Sequence, residues 1–223
     1  PPSAVGAGGG GLGTGAPQAG ALGRREECCR RIGKALFATS ILTMPALALL
    51  VVLGPTIGVY LFQEETVGQY IVPLSVGVLL SCYQSVLGGA LNGLGRQSAA
   101  AWSSIACGAL QLGCTWFLMG LPGVGLDGYV AGFVASSALG VLLNWLLVAR
   151  ATGLKLQLFQ WCTAPALSAL LMGLTVNLLF RVLLRAGLGG VPAAGACLLF
   201  GLVLYLAALN AQGVHPLRLF RLR

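Results

Sequence analysis

Residues 70–95 read YIVPLSVGVLLSCYQSVLGGALNGLG, twenty-six positions without a charged side chain, closed by Arg96. A bilayer core of about 30 Å needs roughly 20 apolar residues of helix to cross it. Among open segments, only a helix satisfies its own backbone hydrogen bonds in lipid. Five more runs of at least 20 charge-free residues flank this one: Ala35–Phe62, Ala99–Gly120, Gly128–Ala149, Trp161–Phe180 and Gly190–Asn210. The pattern predicts an all-α, polytopic transmembrane bundle of six spans.

The composition agrees. Hydrophobic residues make up 57% of the chain and charged residues 8%, and the mean hydropathy is +0.89. An ordinary soluble domain carries about 25% charged residues. The net charge of +8 does not point to nucleic acid, because no contiguous basic face with interleaved aromatics exists. The charges sit between the runs instead. Arg24, Arg25, Arg30, Arg31 and Lys34 precede the first run; Arg96, Arg150 with Lys155, and Arg218, Arg221 and Arg223 fill every second gap after it. The intervening gaps hold Glu64 and Glu65, then Asp127, then Arg181 and Arg185. Eleven of the 13 basic residues therefore fall on one side, and positive-inside reasoning makes that side cytoplasmic. This predicts a multi-pass protein of the cell membrane with both termini in the cytoplasm.

The ends read differently from the middle. Residues 1–23 form a flexible Gly/Ala/Pro-rich segment with neither the charged n-region nor the continuous h-region of a signal peptide. The first methionine is Met44, so the expectation is a trimmed chain or the back part of a longer reading frame. Residues 24–34, RREECCRRIGK, read as a basic cytoplasmic interfacial helix, with Glu26 and Glu27 four residues before Arg30 and Arg31. Residues 150–160 read as a second interfacial linker, and 211–223 as a basic cytoplasmic tail holding the single histidine, His215. Pro45, Pro73, Pro165 and Pro192 lie within or near the starts of runs, where membrane helices tolerate them as kinks.

Cys82, Cys107, Cys114, Cys162 and Cys197 lie in the runs and read as small hydrophobes. Cys107 and Cys114 are about 10 Å apart along one helix, too far to bridge, and Cys28 and Cys29 face a reducing compartment. One histidine and no paired CxxC leave no zinc site. The reading assigns no metal, no cofactor and no catalytic residue, hence no enzyme.

No run contains Asp, Glu, Lys, Arg or His, the usual mark of ion coupling. What remains is amide and hydroxyl chemistry. Ser81, Gln84, Asn92 and Asn144 are candidates to line a substrate cavity, with Gln111 and Asn177 the other amides in the spans. The competing reading is interhelical hydrogen bonding, worth about 0.6–2 kcal/mol per contact. Arg181 and Arg185, one helical turn apart, are lipid-phosphate candidates; headgroup snorkelling is the alternative. Gly89, Gly93, Gly95, Arg96, Gly128 and Gly132 are packing and hinge candidates. The Gly89-x-x-x-Gly93 and Gly128-x-x-x-Gly132 spacings let backbones approach, and Gly95 suits the left-handed geometry that stops a helix.

From Val86 to Arg150 the chain shows an ordered series: Leu91–Arg96 (LNGLGR) at a helix end, Gly123–Gly132 (GVGLDGYVAG) at a later helix start, then Leu143 and Asn144 before Arg150. This order resembles the polysaccharide-biosynthesis and stage V sporulation protein B branch of the MOP (MATE-like) flippase superfamily. Asn92 stands where that family often has glutamine, and Asp127, Tyr129 and Val130 depart from its small residues. The resemblance covers about Arg30 to Leu209. It implies a fourteen-helix protein of two six-helix lobes plus two extra helices, of which these spans are the ninth to fourteenth: 35–149 as four helices of a partial C-terminal lobe and 161–210 as the two additional ones. It further implies alternating access for a lipid-linked saccharide or cell-wall precursor, with membrane lipids and the missing N-terminal lobe as partners and no activity from this portion alone. A drug or cation antiporter of the same superfamily and a non-transporting membrane scaffold are the alternatives.

Overall fold

The computed structural model describes residues 15–63, 65–152, 158–187 and 189–212. These form six helices: α1 Gly15–Phe62, α2 Glu65–Gly93, α3 Gln97–Met119, α4 Gly125–Thr152, α5 Leu158–Arg185 and α6 Gly190–Ala211. No strand occurs among the described residues. Five helices are long and apolar enough to cross a membrane: those of α1, α2, α4, α5 and α6. At most a third of each of these spans is buried inside the protein, and side chains such as Leu42 and Leu178 are exposed. Such surfaces face lipid, and this is a membrane protein.

Two expectations change. The basic stretch 24–34 is not a separate interfacial helix, and 15–23 is not outside the helical region; both belong to the continuous 48-residue α1. The reason is local. No proline precedes Pro45 within that helix after Pro17, and Arg31 Nη2 donates to Glu27 Oε1 at 2.7 Å across one exposed turn. The residues of the expected linker divide among 150–152 at the end of α4, 158–160 at the start of α5, and 153–157, which lie outside the described residues. The tail with His215 also lies outside them.

The sixth expected span, α3, has the length but not the apolar content of the others. Gln97, Ser98, Ser103, Ser104, Gln111 and Thr115 dilute it. Its course is nevertheless fixed by its neighbours. On α2 and α4, Gly77 meets Phe133, Ser81 meets Ser137, Gln84 meets Gly140 and Gly88 meets Asn144, so the two helices run parallel. Helix α3 runs antiparallel to α4, with Leu118 beside Gly128 and Cys114 beside Gly132. It therefore packs lengthwise on α4. Trp102 and Trp116, both strongly exposed, lie about 21 Å apart along α3.

The helices form a row, α3–α4–α2–α1–α5, with α6 lodged against α5 and α1. Helix α1 serves two cores. Leu53 joins Met172, Val176, Phe180, Cys197 and Tyr205 of α5 and α6. Leu36 joins Tyr83, Leu87, Leu91 and Val148 of α2 and α4. Met44 packs against both clusters. Helix α6 is antiparallel to α1 (Tyr205 by Ile41, Gly201 by Leu49) and to α5 (Cys197 by Val176, Gly201 by Met172). Hence α5 runs parallel to α1. The start of α1, the α2–α3 turn and the end of α4 meet at one end of the row, carrying Arg30, Arg31, Lys34, Arg96 and Arg150. The other end carries Asp127, Arg181 and Arg185.

Candidate functional site

Two clusters of polar groups stand out among the described residues of the spans. The first is the α2–α4 seam. Positions 77, 81, 84 and 88 of α2 share one face, spaced four, three and four residues apart, and they meet 133, 137, 140 and 144 of α4 at a constant separation of 56. Small residues alternate with large ones across it. A Cβ at Gly77 would overlap the Phe133 ring, and a Cβ at Gly140 would overlap the Gln84 amide. Between these pairs the Ser81 and Ser137 hydroxyls lie 3.0 Å apart. One turn beyond, Asn144 Nδ2 donates to the Gln84 carbonyl at 3.1 Å. Asn144 is buried and its Oδ1 has no partner among the described groups.

Three of the four cavity candidates, Ser81, Gln84 and Asn144, thus come together. Asn92 does not join them. It is exposed at the end of α2, where its carbonyl accepts the Gly95 N–H at 3.1 Å while the Arg96 N–H reaches the Leu91 carbonyl at 3.0 Å. Gly95, with φ of +73°, makes this six-to-one closure possible. Ser137 was not singled out in the sequence. Its signal was its place seven residues before Asn144, on the same face.

The second gathering links α2, α1 and α6. Ser40 Oγ donates to the Leu36 carbonyl at 2.9 Å and lies 2.7 Å from the Tyr83 hydroxyl. One residue on, the Tyr205 hydroxyl donates to the Ile41 carbonyl at 2.9 Å. That carbonyl would ordinarily accept the N–H of residue 45, which is proline and has none. Sequence reasoning noted Pro45 as a kink but not the acceptor it frees. A tyrosine in a charge-free run is the kind of donor that could have been sought.

The glycine candidates divide. Gly128 and Gly132 seat α4 on α3: a Cβ at Gly128 would lie 2.6 Å from Leu118 Cβ, and one at Gly132 would lie 3.0 Å from Cys114 Cβ. Gly89 and Gly93 have no neighbouring atom within 4 Å of such a Cβ, so their face of α2 is open. Arg96 is exposed and precedes α3 without a side-chain cap.

Among the described residues, two grooves stand out on the outside of the row. One, of about 440 Å³, lies between the starts of α2 and α4 and is lined by Gln69, Tyr70, Pro73 and Asp127 among others. The other, of about 390 Å³, lies between α1 and α5; Ala48, Val52, Ala169, Gly173 and Asn177 are part of its wall. Arg181 and Arg185 are exposed on the last turns of α5. Arg181 Nε donates to Asn177 Oδ1 at 3.3 Å. Among the described residues no three His, Cys, Asp or Glu side chains stand close enough to hold a metal ion. Compared with family models, curated proteins and solved structures, the chain matches none.

Proposed function

We propose that this chain is the C-terminal portion of a membrane flippase or exporter for a lipid-linked saccharide or cell-wall precursor, working by alternating access and inactive without a partner lobe. The observation that carries the reading is the open row itself. Helices α4 and α2 are buried against each other and against α3 and α1, yet α2 still presents Ser85, Gly89, Asn92 and Gly93 outward. A small, polar-edged helix face in lipid suits contact with further helices, and a two-lobed transporter supplies them. The LNGLGR element, whose resemblance suggested the family, forms the end of that same helix. The two gatherings of hydroxyl and amide groups are of the neutral kind that contacts sugar hydroxyls. The reading assigns no enzymatic chemistry.

Orientation follows from charge. Arg30, Arg31, Lys34, Arg96 and Arg150 stand at one end, which we take as cytoplasmic by the positive-inside rule, in the cell membrane.

Reconstitution tests the proposal. Proteoliposomes holding this chain alone should move a fluorescent lipid-linked saccharide no faster than empty vesicles, and those holding the complete reading frame should move it faster. Movement by the chain alone would refute the partial-lobe reading. A complete protein that expels organic cations instead would identify the antiporter, and one that moves neither would identify a scaffold.

A further inference from the structure

The groove between α1 and α5 has features that the α2–α4 seam lacks: a wall that is almost wholly apolar, a defined length and a charged end. Its α5 wall runs from Ala166 to Asn177, twelve residues and about 16 Å of helix. That length is about half of the roughly 30 Å hydrocarbon core. Asn177 closes the groove at the end away from Arg30, Lys34, Arg96 and Arg150. Arg181 stands one turn, about 6 Å, beyond Asn177, and Arg185 one turn beyond that. Both are exposed. They are the only basic residues at that end of the row among those described.

The polar contact at the mouth orients the first arginine. Asn177 Oδ1 occupies the Arg181 Nε–H, leaving the terminal guanidinium nitrogens for an acceptor. A guanidinium matches phosphate geometry with paired donors. The wall below offers bare surface: a Cβ at Gly173 would touch only Ala48 Cβ, at 3.5 Å.

We propose that this groove holds one anionic phospholipid of the leaflet at the Arg181 end, with an acyl chain along Ala48 and Gly173 and the phosphate on Arg181 and Arg185. The occupant is a resident lipid. The groove ends about 22 Å of helix from Arg181, a reach that suits an acyl chain and stops short of a polyprenyl tail. The inference rests on membrane placement and stands apart from the transport reading.

The full chain, purified and delipidated in detergent, would be titrated with dioleoyl phosphatidylglycerol and with phosphatidylcholine of the same chains, and bound lipid counted by native mass spectrometry. The wild type should retain one phosphatidylglycerol in preference to phosphatidylcholine. A basic residue near a membrane surface contributes about a fivefold preference for anionic lipid, so Arg181→Gln with Arg185→Gln should weaken phosphatidylglycerol binding about thirtyfold and leave phosphatidylcholine unchanged. Gly173→Leu should fill the groove and displace both lipids. Leu170→Trp, at an exposed wall position that needs no repacking, should act alike even if Gly173→Leu disturbs the fold. Equal binding of the two lipids, indifference to the arginine pair, indifference to Leu170→Trp, displacement by inorganic phosphate alone, or displacement by a polyprenyl phosphate at lower concentration would each overturn the proposal.

Discussion

The Tyr205 hydroxyl stands 2.9 Å from the Ile41 carbonyl and takes the place of the N–H that Pro45 does not have. The Pro45 turn of α1 is thereby tied to α6, a helix that otherwise touches α1 through Gly201 and apolar contacts. In lipid no water replaces a lost donor, so the bond and the proline form one unit.

This unit is testable by a double-mutant cycle. Tyr205→Phe in the wild-type background should cost about 1 kcal/mol, the range of a membrane hydrogen bond or of a carbonyl left unpaired. With Pro45→Ala the Ile41 carbonyl regains its helical donor, and Tyr205→Phe should then cost close to nothing. Unfolding in mixed micelles measures all four proteins. Equal costs in the two backgrounds would show that the proline and the tyrosine act independently.

The seam hydroxyls should be coupled as well. Ser81→Ala and Ser137→Ala should be non-additive by about 0.6 kcal/mol, the average for such pairs in membranes. Additive losses in the same unfolding assay would mean that neither hydroxyl depends on the other.

Glycines of similar spacing should respond in opposite ways. Gly128→Ala puts a methyl 2.6 Å from Leu118 Cβ and 2.9 Å from the Leu118 carbonyl carbon, so α3 must move, at a cost of about 1–3 kcal/mol. Gly89→Ala meets nothing within 4 Å and should gain up to about 1 kcal/mol of helix propensity. Thermal melting of the two variants in detergent separates them. A destabilised Gly89→Ala in the isolated chain would reveal a contact on that face.

Sidedness has a direct readout. In a cysteine-free background, Ala186→Cys beyond α5 and Gln97→Cys at the start of α3 lie at opposite ends of the row. A membrane-impermeant maleimide applied to intact cells should label Ala186→Cys at once and Gln97→Cys only after permeabilisation. The reverse order would invert the assigned orientation, and simultaneous labelling would mean that the row does not cross.

The helices themselves were largely legible in the sequence. Tyr70–Gly95 corresponds to Glu65–Gly93 and Gly190–Asn210 to Gly190–Ala211, because each span must close its own backbone bonds without help from a neighbour. The pairing of helices was not legible. Gly89-x-x-x-Gly93 looked like a contact and is open, whereas Gly77 and Gly140 went unnoticed and lie tightly packed. A small residue becomes a contact only when a large one opposes it, and Phe133 and Gln84 sit 56 positions away. Ser81, Gln84 and Asn144 were recognisable as polar groups needing partners. Asn92 was named beside them as an amide of the same run, but α2 ends at Gly93, and its turn geometry withdraws it from the seam. The extra length of α1 was missed for another reason: polar residues were read as a boundary where the backbone has no break.

The bond between Tyr205 and Ile41 joins positions 164 residues apart. Chains grow at about 5–20 residues per second, so α1 exists for roughly ten to thirty seconds before α6 has been synthesised. Throughout that interval Ile41 presents a carbonyl without its helical donor or its tyrosine. Assembly in the membrane thus has a built-in order: the open carbonyl of α1 is left unfastened until the arrival of α6 closes it.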